Sequence, residues 1–292
     1  MSIKSFTRIA ATTAAMTASA LLIGCKATGG QGGTPETVTP SADAPTNVYA
    51  VVIGMENSQF AGSCPGAKLD SDNMSALLKD YAGHVTLFQS EKATYKAVSA
   101  AMKEAVAKSD LFILFYSGHG GSEAFYDTGD EEIDGCDEFL CLNDTYMRDN
   151  DIWKIIKDAK CRVMLVFDCC HSASLYRAPN ANGIIIPKND TKRMKFRRNG
   201  FTMRRFIPLA SASRRDGSTL CMECWSGCPD DTFSYGSSTG GMFTNCLLKH
   251  FSPRYTYDNL WGLIKADKNL KSYEDVQRTT IGTGFVGKEI FR

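Results

Sequence analysis

Continuous apolar runs set the frame of this chain. Val48–Ile53, Val85–Phe88, Leu111–Tyr116 and Val163–Phe167 are unbroken rather than alternating, the pattern of strands covered on both faces. A fifth run follows at Phe206–Ala210. Between them, apolar positions recur at helical spacing. Met74, Leu77, Leu78 and Tyr81 do so within Asp72–Tyr81, and Ile152, Ile155 and Ile156 within Asp151–Asp158. Tyr95, Val98, Met102 and Val106 follow Thr94, whose hydroxyl suits a helix cap. Two further helices are predicted at Met242–His250 and Tyr257–Ala266. Strands and helices alternate in the order β-α-β-α-β-loop-α-β-loop-β-α-α. That order predicts an α/β domain with a mostly parallel central sheet between two helical layers.

The first residues do not belong to that domain. Lys4 and Arg8 precede an apolar, Ala-rich stretch, Ile9–Ile23, which is too short for a comfortable membrane span and reads as a targeting segment. It ends in Leu22-Ile23-Gly24-Cys25, which resembles the lipobox of bacterial lipoproteins. The resemblance implies a signal peptide over 1–24, cleavage before Cys25, and lipidation of that cysteine with palmitoyl chains. An ordinary secretory signal with an incidental cysteine is the competing reading. Residues 25–47 are rich in Gly, Thr, Pro, Ser and Ala and read as a flexible tether with a reach of ~25 Å. Together these features imply a protein of the bacterial cell envelope, held by lipid to a membrane and facing the periplasm or exterior. The single globular domain is expected over 48–292.

The formal net charge is +1 over 292 residues. Losing Lys4 and Arg8 with the leader brings it to −1, and such a balance gives no reason to expect a nucleic-acid partner. Of eleven cysteines, the densest group is Cys221-x-x-Cys224-x-x-x-Cys228. A zinc knuckle needs a fourth ligand that no nearby histidine supplies, so disulfides are preferred to a metal, with the pairing open.

The chemistry concentrates in two short segments, each directly after an apolar run: Phe115-Tyr-Ser-Gly-His119-Gly120 and Phe167-Asp168-Cys169-Cys170-His171-Ser172. Sites of parallel sheets lie beyond the carboxyl ends of the strands. A thiol and an imidazole placed there can form a nucleophile and its base. Of the other histidines, His84 sits at a strand entrance, His250 ends a helix, and His171 adjoins Cys170.

The flanking residues resemble the caspase-like fold, and within it the metacaspases and related bacterial peptidases. Tyr116–Gly120 matches the family's (Tyr/Phe)-Ser-Gly-His-Gly. Asp168–Ser172 matches Asp-x-Cys-His-Ser-Gly, with Ala173 in place of the last glycine. Gly66–Met74, Asp134–Glu138 and Gly240–Thr244 resemble three further motifs. The resemblance implies a three-layer α/β/α sandwich and a cysteine endopeptidase. Cys170 would be its nucleophile, His119 its base, and the backbone N–H groups of Gly120 and Cys170 its oxyanion hole.

Metacaspases prefer Arg or Lys substrates and use acids to bind them. The matching acids are Asp70 and Asp168, implying polypeptide substrates cut after Arg or Lys. Helix capping for Asp70, and a hydrogen bond shaping the catalytic turn for Asp168, are the structural alternatives. The chemistry needs no cofactor, but many relatives use Ca²⁺ as an activator. Asp134, Asp149 and Asp151 are its candidate ligands. Asn150 interrupts the family's acidic run and Arg177 stands where another acid is expected, so a solvated acidic loop competes. The basic stretch 188–205 reads as a linker open to self-processing, or as a solvated loop or lipid-facing patch. A catalytically silent binding module and a peptide ligase or transpeptidase are the alternative functions.

Overall fold

The computed structural model describes residues 36–38, 47–59, 61–124, 136–170, 220–227, 234–272 and 276–291. All of them fall within one compact unit, Gly32–Arg292. In chain order the elements are β1 (Glu36–Val38), β2 (Val48–Gly54), β3 (Asn57–Ser58), β4 (Gly62–Ser63), α1 (Ala67–Leu78), β5 (His84–Gln89), α2 (Tyr95–Lys108), β6 (Leu111–Ala124), β7 (Cys136–Cys141), β8 (Tyr146–Arg148), α3 (Asp149–Ile156), β9 (Arg162–Cys170), β10 (Cys221–Ser226), β11 (Gly236–Ser237), β12 (Gly240–Gly241), α4 (Met242–His250), α5 (Tyr257–Ala266), α6 (Lys268–Lys271) and β13 (Gln277–Ile281). Among these, no helix is long and apolar enough to cross a membrane.

The central sheet has the order β1-β5-β2-β6-β9-β10-β13, with β7 paired to β6 and β8 to β7. Its five middle strands run parallel. β1 and β13 close the two edges antiparallel. The apolar runs are continuous because both faces are covered. Phe112, Leu114 and Tyr116 face a core under α2 and α3 that includes Val98, Met102, Ile152 and Ile156. Leu111, Ile113 and Phe115 face the opposite core with Met74, Leu78, Leu247, Leu260 and Ile264 from α1, α4 and α5. The sandwich is therefore the expected three-layer one, with a mixed rather than all-parallel sheet.

Several boundaries differ from the sequence reading, each for a physical reason. Helix α1 starts at Ala67 rather than Asp72, because Gly66, at φ +96°, turns the chain directly into it. Asp70 thereby enters the first helical turn. Strand β6 runs on through His119 to Ala124, since β7 pairs with it antiparallel. The ends of the expected loop 122–137 are thus arms of a hairpin held by ladder bonds rather than apolar alternation. Within the stretch read as a tether, residues 36–38 form edge strand β1.

Strand β10 was hidden in the cysteine cluster. Its parallel register with β9 includes Cys221↔Arg162 and Cys224↔Leu165. Residues three apart on a strand point to opposite faces, so Cys221 and Cys224 cannot clasp one ion or bond each other. Cys224 sits in the core under α2 and α3. β10 also carries buried Glu223, which accepts from Trp225 Nε1 at 2.7 Å and Thr280 Oγ1 at 2.8 Å. Glu223 is ion-paired with Arg278 of β13, which reaches Asp258 as well. The run Phe206–Ala210 and Cys228 lie outside the described residues.

Candidate active site

Strands β6 and β9 bring the two motifs together residue by residue. Their register pairs Tyr116↔Phe167, Ser117↔Asp168, Gly118↔Cys169 and His119↔Cys170. Neighbouring strands are about 4.8 Å apart, so the backbones of His119 and Cys170 are immediate neighbours at the carboxyl end of the sheet. Both motifs follow apolar runs because those runs are the buried strands that align them. Gly120, the next residue, pairs with Leu140 of β7.

The His119 ring is anchored by the end of β4. Its Nε2 lies 2.9 Å from the Ser63 carbonyl oxygen. A carbonyl only accepts, so Nε2 carries the proton and Nδ1 is left as the acceptor nitrogen. The Tyr116 hydroxyl lies 2.6 Å from the His119 carbonyl and 2.9 Å from that of Cys141. Burial pushes the Tyr116 phenol well above its ordinary range, keeping it a donor. The sequence offers no sign of the Ser63 contact, because a backbone carbonyl has no residue signature.

Asp70 and Asp168 are 1% and 5% exposed. Asp70 accepts Ser117 Oγ at 2.7 Å and the Gly241 N–H at 2.9 and 3.0 Å. Asp168 accepts Ser234 Oγ at 2.6 Å, the Thr244 N–H at 2.9 Å and Thr244 Oγ1 at 2.6 Å. Both carboxylates thus lie on the amino-terminal turn of α4, where the helix dipole favours negative charge. Asp70 caps α4 rather than its own helix, and Asp168 braces that helix rather than a turn of its own strand. The Gly240–Gly241 pair makes room for them. A Cβ on Gly241 would collide with the Asp168 carboxylate, and one on Gly240 (φ +98°) would lie 2.5 Å from Asp70 Oδ1. Ser117, Ser234 and Thr244 are site residues that no strand or helix pattern singles out.

Burial outweighs these hydrogen bonds. Desolvation, followed by repulsion from Asp168, pushes the Asp70 carboxyl up to about 6. Desolvation likewise raises Asp168, against the pull of its Ser234 and Thr244 partners. Among the described residues, the hydrogen bonds and ion pairs of the two acids bring them no Lys or Arg.

Asp149 and Asp151 both lie in the first turn of α3. Asp151 Oδ2 accepts the Arg148 N–H at 3.2 Å, and Asp149 Oδ1 accepts the Asn150 N–H at 2.6 Å. Calcium takes six to eight oxygen ligands. The two carboxylates are of the right donor type, but here each spends an oxygen on helix-start backbone. Asp134, Cys25, His171 and the basic stretch 188–205 lie outside the described residues.

A caspase-domain family model matches residues 47–282. Metacaspase-5 of Trypanosoma brucei brucei is 25% identical over 177 residues, covering 59% of this chain and 35% of that protein. The chain thus spans about a third of the length of this relative. Protein GSU0716 from Geobacter sulfurreducens superimposes with a TM-score of 0.60 at 23% identity, covering 85% of this chain and 98% of that one. Caspase-1 from Spodoptera frugiperda gives 0.50 at 14% identity, covering 81% and 89%. Both structures share the fold. With the family model spanning nearly the whole sandwich, the chain belongs to the caspase-domain family of cysteine peptidases.

Proposed function

We propose that this protein is a cysteine endopeptidase that cuts polypeptides after Arg or Lys, with Cys170 as nucleophile and His119 as base. The observation that carries the reading is the register of His119 with Cys170 across β6 and β9. With Nε2 bonded to Ser63, Nδ1 is the nitrogen to take the Cys170 proton. The thiolate attacks the scissile carbonyl, and the backbone N–H groups of Gly120 and Cys170 hold the oxyanion. The imidazolium then protonates the leaving amine. Water, deprotonated by His119, hydrolyses the thioester and frees the enzyme.

The buried pair Asp70 and Asp168 supports basic specificity. Two carboxyls raised by burial, Asp70 also by repulsion from Asp168, are relieved by a cation brought beside them. A guanidinium or ammonium head provides that charge, whereas an acidic side chain adds to the repulsion. Cys25 is the proposed lipid anchor, holding the domain at a membrane of the bacterial envelope. Ca²⁺ through Asp134, Asp149 and Asp151, and self-cleavage within 188–205, are further parts of the proposal.

An Arg-directed, thiol-reactive peptide probe tests the reading on the full chain in detergent, with and without calcium. The expected result is one adduct, on Cys170, absent from His119→Ala. No adduct on Cys170 under any condition would leave a binding module as the better account. Full labelling in excess chelator would remove calcium. Intact mass of the wild type against Cys170→Ala tests self-processing: a cut in both, or in neither, removes it.

A further inference from the structure

Two thiols lie close to the histidine. Cys64 directly follows Ser63, whose carbonyl accepts from His119 Nε2. Cys141 ends β7, and its carbonyl shares the Tyr116 hydroxyl with the carbonyl of His119. The β6–β7 ladder pairs Gly120 with Leu140, so Cys141 stands at the next rung, beside His119. Leu140 and Leu142 face the core under α2 and α3. Alternation turns Cys141 to the other face, the side of the sheet on which α1 begins just after Cys64. Both cysteines are present as thiols, and Cys64 is near enough to add to the upward push on the Cys141 thiol.

We propose that Cys64 and Cys141 form a reversible disulfide that clamps the Ser63 carbonyl onto His119. The proposal rests on His119 being the base, and it assigns these two thiols as a redox modification site. The oxidant is a disulfide, either a small molecule such as oxidised glutathione or a protein disulfide. Cys64, the half-buried member, attacks first. Its sulfur bonds to one sulfur of the oxidant and expels the other as a thiol. Cys141, deeply buried, then attacks the Cys64 sulfur and expels the second thiol. The pair loses two electrons and two protons, and the oxidant gains both. Cys169 is the competing partner, because it also approaches Tyr116. It belongs to the core on the opposite face.

The cross-link joins the end of β4, through the residue that follows it, to the end of β7. These are the two segments that hold the His119 ring and its backbone. Without it, the Ser63 carbonyl is placed by hydrogen bonds alone: Ser63 pairs with Asn57 in the β3–β4 ladder, and the Cys64 N–H donates to the Glu56 carbonyl at 2.7 Å. With it, the acceptor of the Nε2 proton is also held covalently.

The test uses the full chain in detergent as Cys170→Ala, so that the nucleophile neither reacts nor cuts. The protein is equilibrated with oxidised glutathione and then digested without reduction. The expected product is one linked peptide pair carrying Cys64 and Cys141, lost on adding dithiothreitol. Reduction should lower Tm by on the order of 5 °C or more, a shift absent from Cys64→Ala. His119 should show the Nε2–H tautomer in both forms, with slower solvent exchange of that proton when oxidised. Full alkylation of both thiols after oxidation, or a Cys141–Cys169 link, would overturn the assignment. An unchanged exchange rate of the Nε2 proton in the two forms would overturn the clamp. None of these readouts depends on peptidase turnover, so failure of the proposed activity would be seen separately, as absent probe labelling of Cys170.

Discussion

Asp70 and Asp168, from a helix and a strand far apart in sequence, meet at the first turn of one helix. Asp70 takes the N–H of Gly241, and Asp168 takes the N–H and hydroxyl of Thr244. Two acids are thereby buried beside each other, at a cost that a basic substrate group would relieve.

Replacing Asp70 with Asn tests that cost. The folded carboxyl titrates at about 6, above its ordinary value near 4. The stability it contributes is therefore present in acid and lost as pH rises from about 4 to about 6. Asp70→Asn should flatten that part of the pH–stability curve and stabilise the protein at pH 7.5 by up to ~3 kcal/mol, since each pKa unit is worth about 1.4 kcal/mol. Cleavage after Arg should fall by at least ~100-fold, the cost of losing a charged pair. Urea titrations at pH 4, 6 and 8 read the first effect, and kcat/KM the second.

Thr244→Val removes the hydroxyl that reaches Asp168 but keeps the shape of the side chain. The buried carboxylate loses one donor, and the expected loss is about 1–3 kcal/mol. Chemical denaturation at pH 7.5 measures it, and an unchanged midpoint would show that Thr244 does not support Asp168.

The far edge of the sheet depends on Glu223. Arg278→Ala leaves this fully buried carboxylate without its cation and should cost roughly 3–5 kcal/mol. Adding Glu223→Gln to Arg278→Ala should recover much of that loss, because the amide needs no counter-charge. Thermal unfolding of the single and double variants reads the difference.

What the sequence revealed follows from what each element is made of. The parallel strands were legible because burial on both faces leaves continuous apolar runs, as in Leu111–Tyr116. Helices α4 and α5 were legible from their spacing. β10 was not, because a buried Glu held by Arg278 and Thr280 breaks the apolar run, and its cysteines suggested cross-linking. β13 and the β6–β7 hairpin were missed because ladder bonds hold polar sequence there. At the site, His119, Cys170, Asp70 and Asp168 were marked by their motifs. The Ser63 carbonyl was invisible, since any residue carries one, and Ser117 and Thr244 stood inside motifs without a stated role. The contacts with Asp70 and Asp168 account for the two glycines and the threonine in Gly240–Thr244.

The most direct measurement is kcat/KM of the full-length protein on peptides that differ only at the residue before the cut. The account predicts cleavage after Arg and Lys and none after Asp, with turnover lost by at least ~1,000-fold in both Cys170→Ala and His119→Ala. Preferred cleavage after Asp, or Arg cleavage that survives in Cys170→Ala, would contradict it.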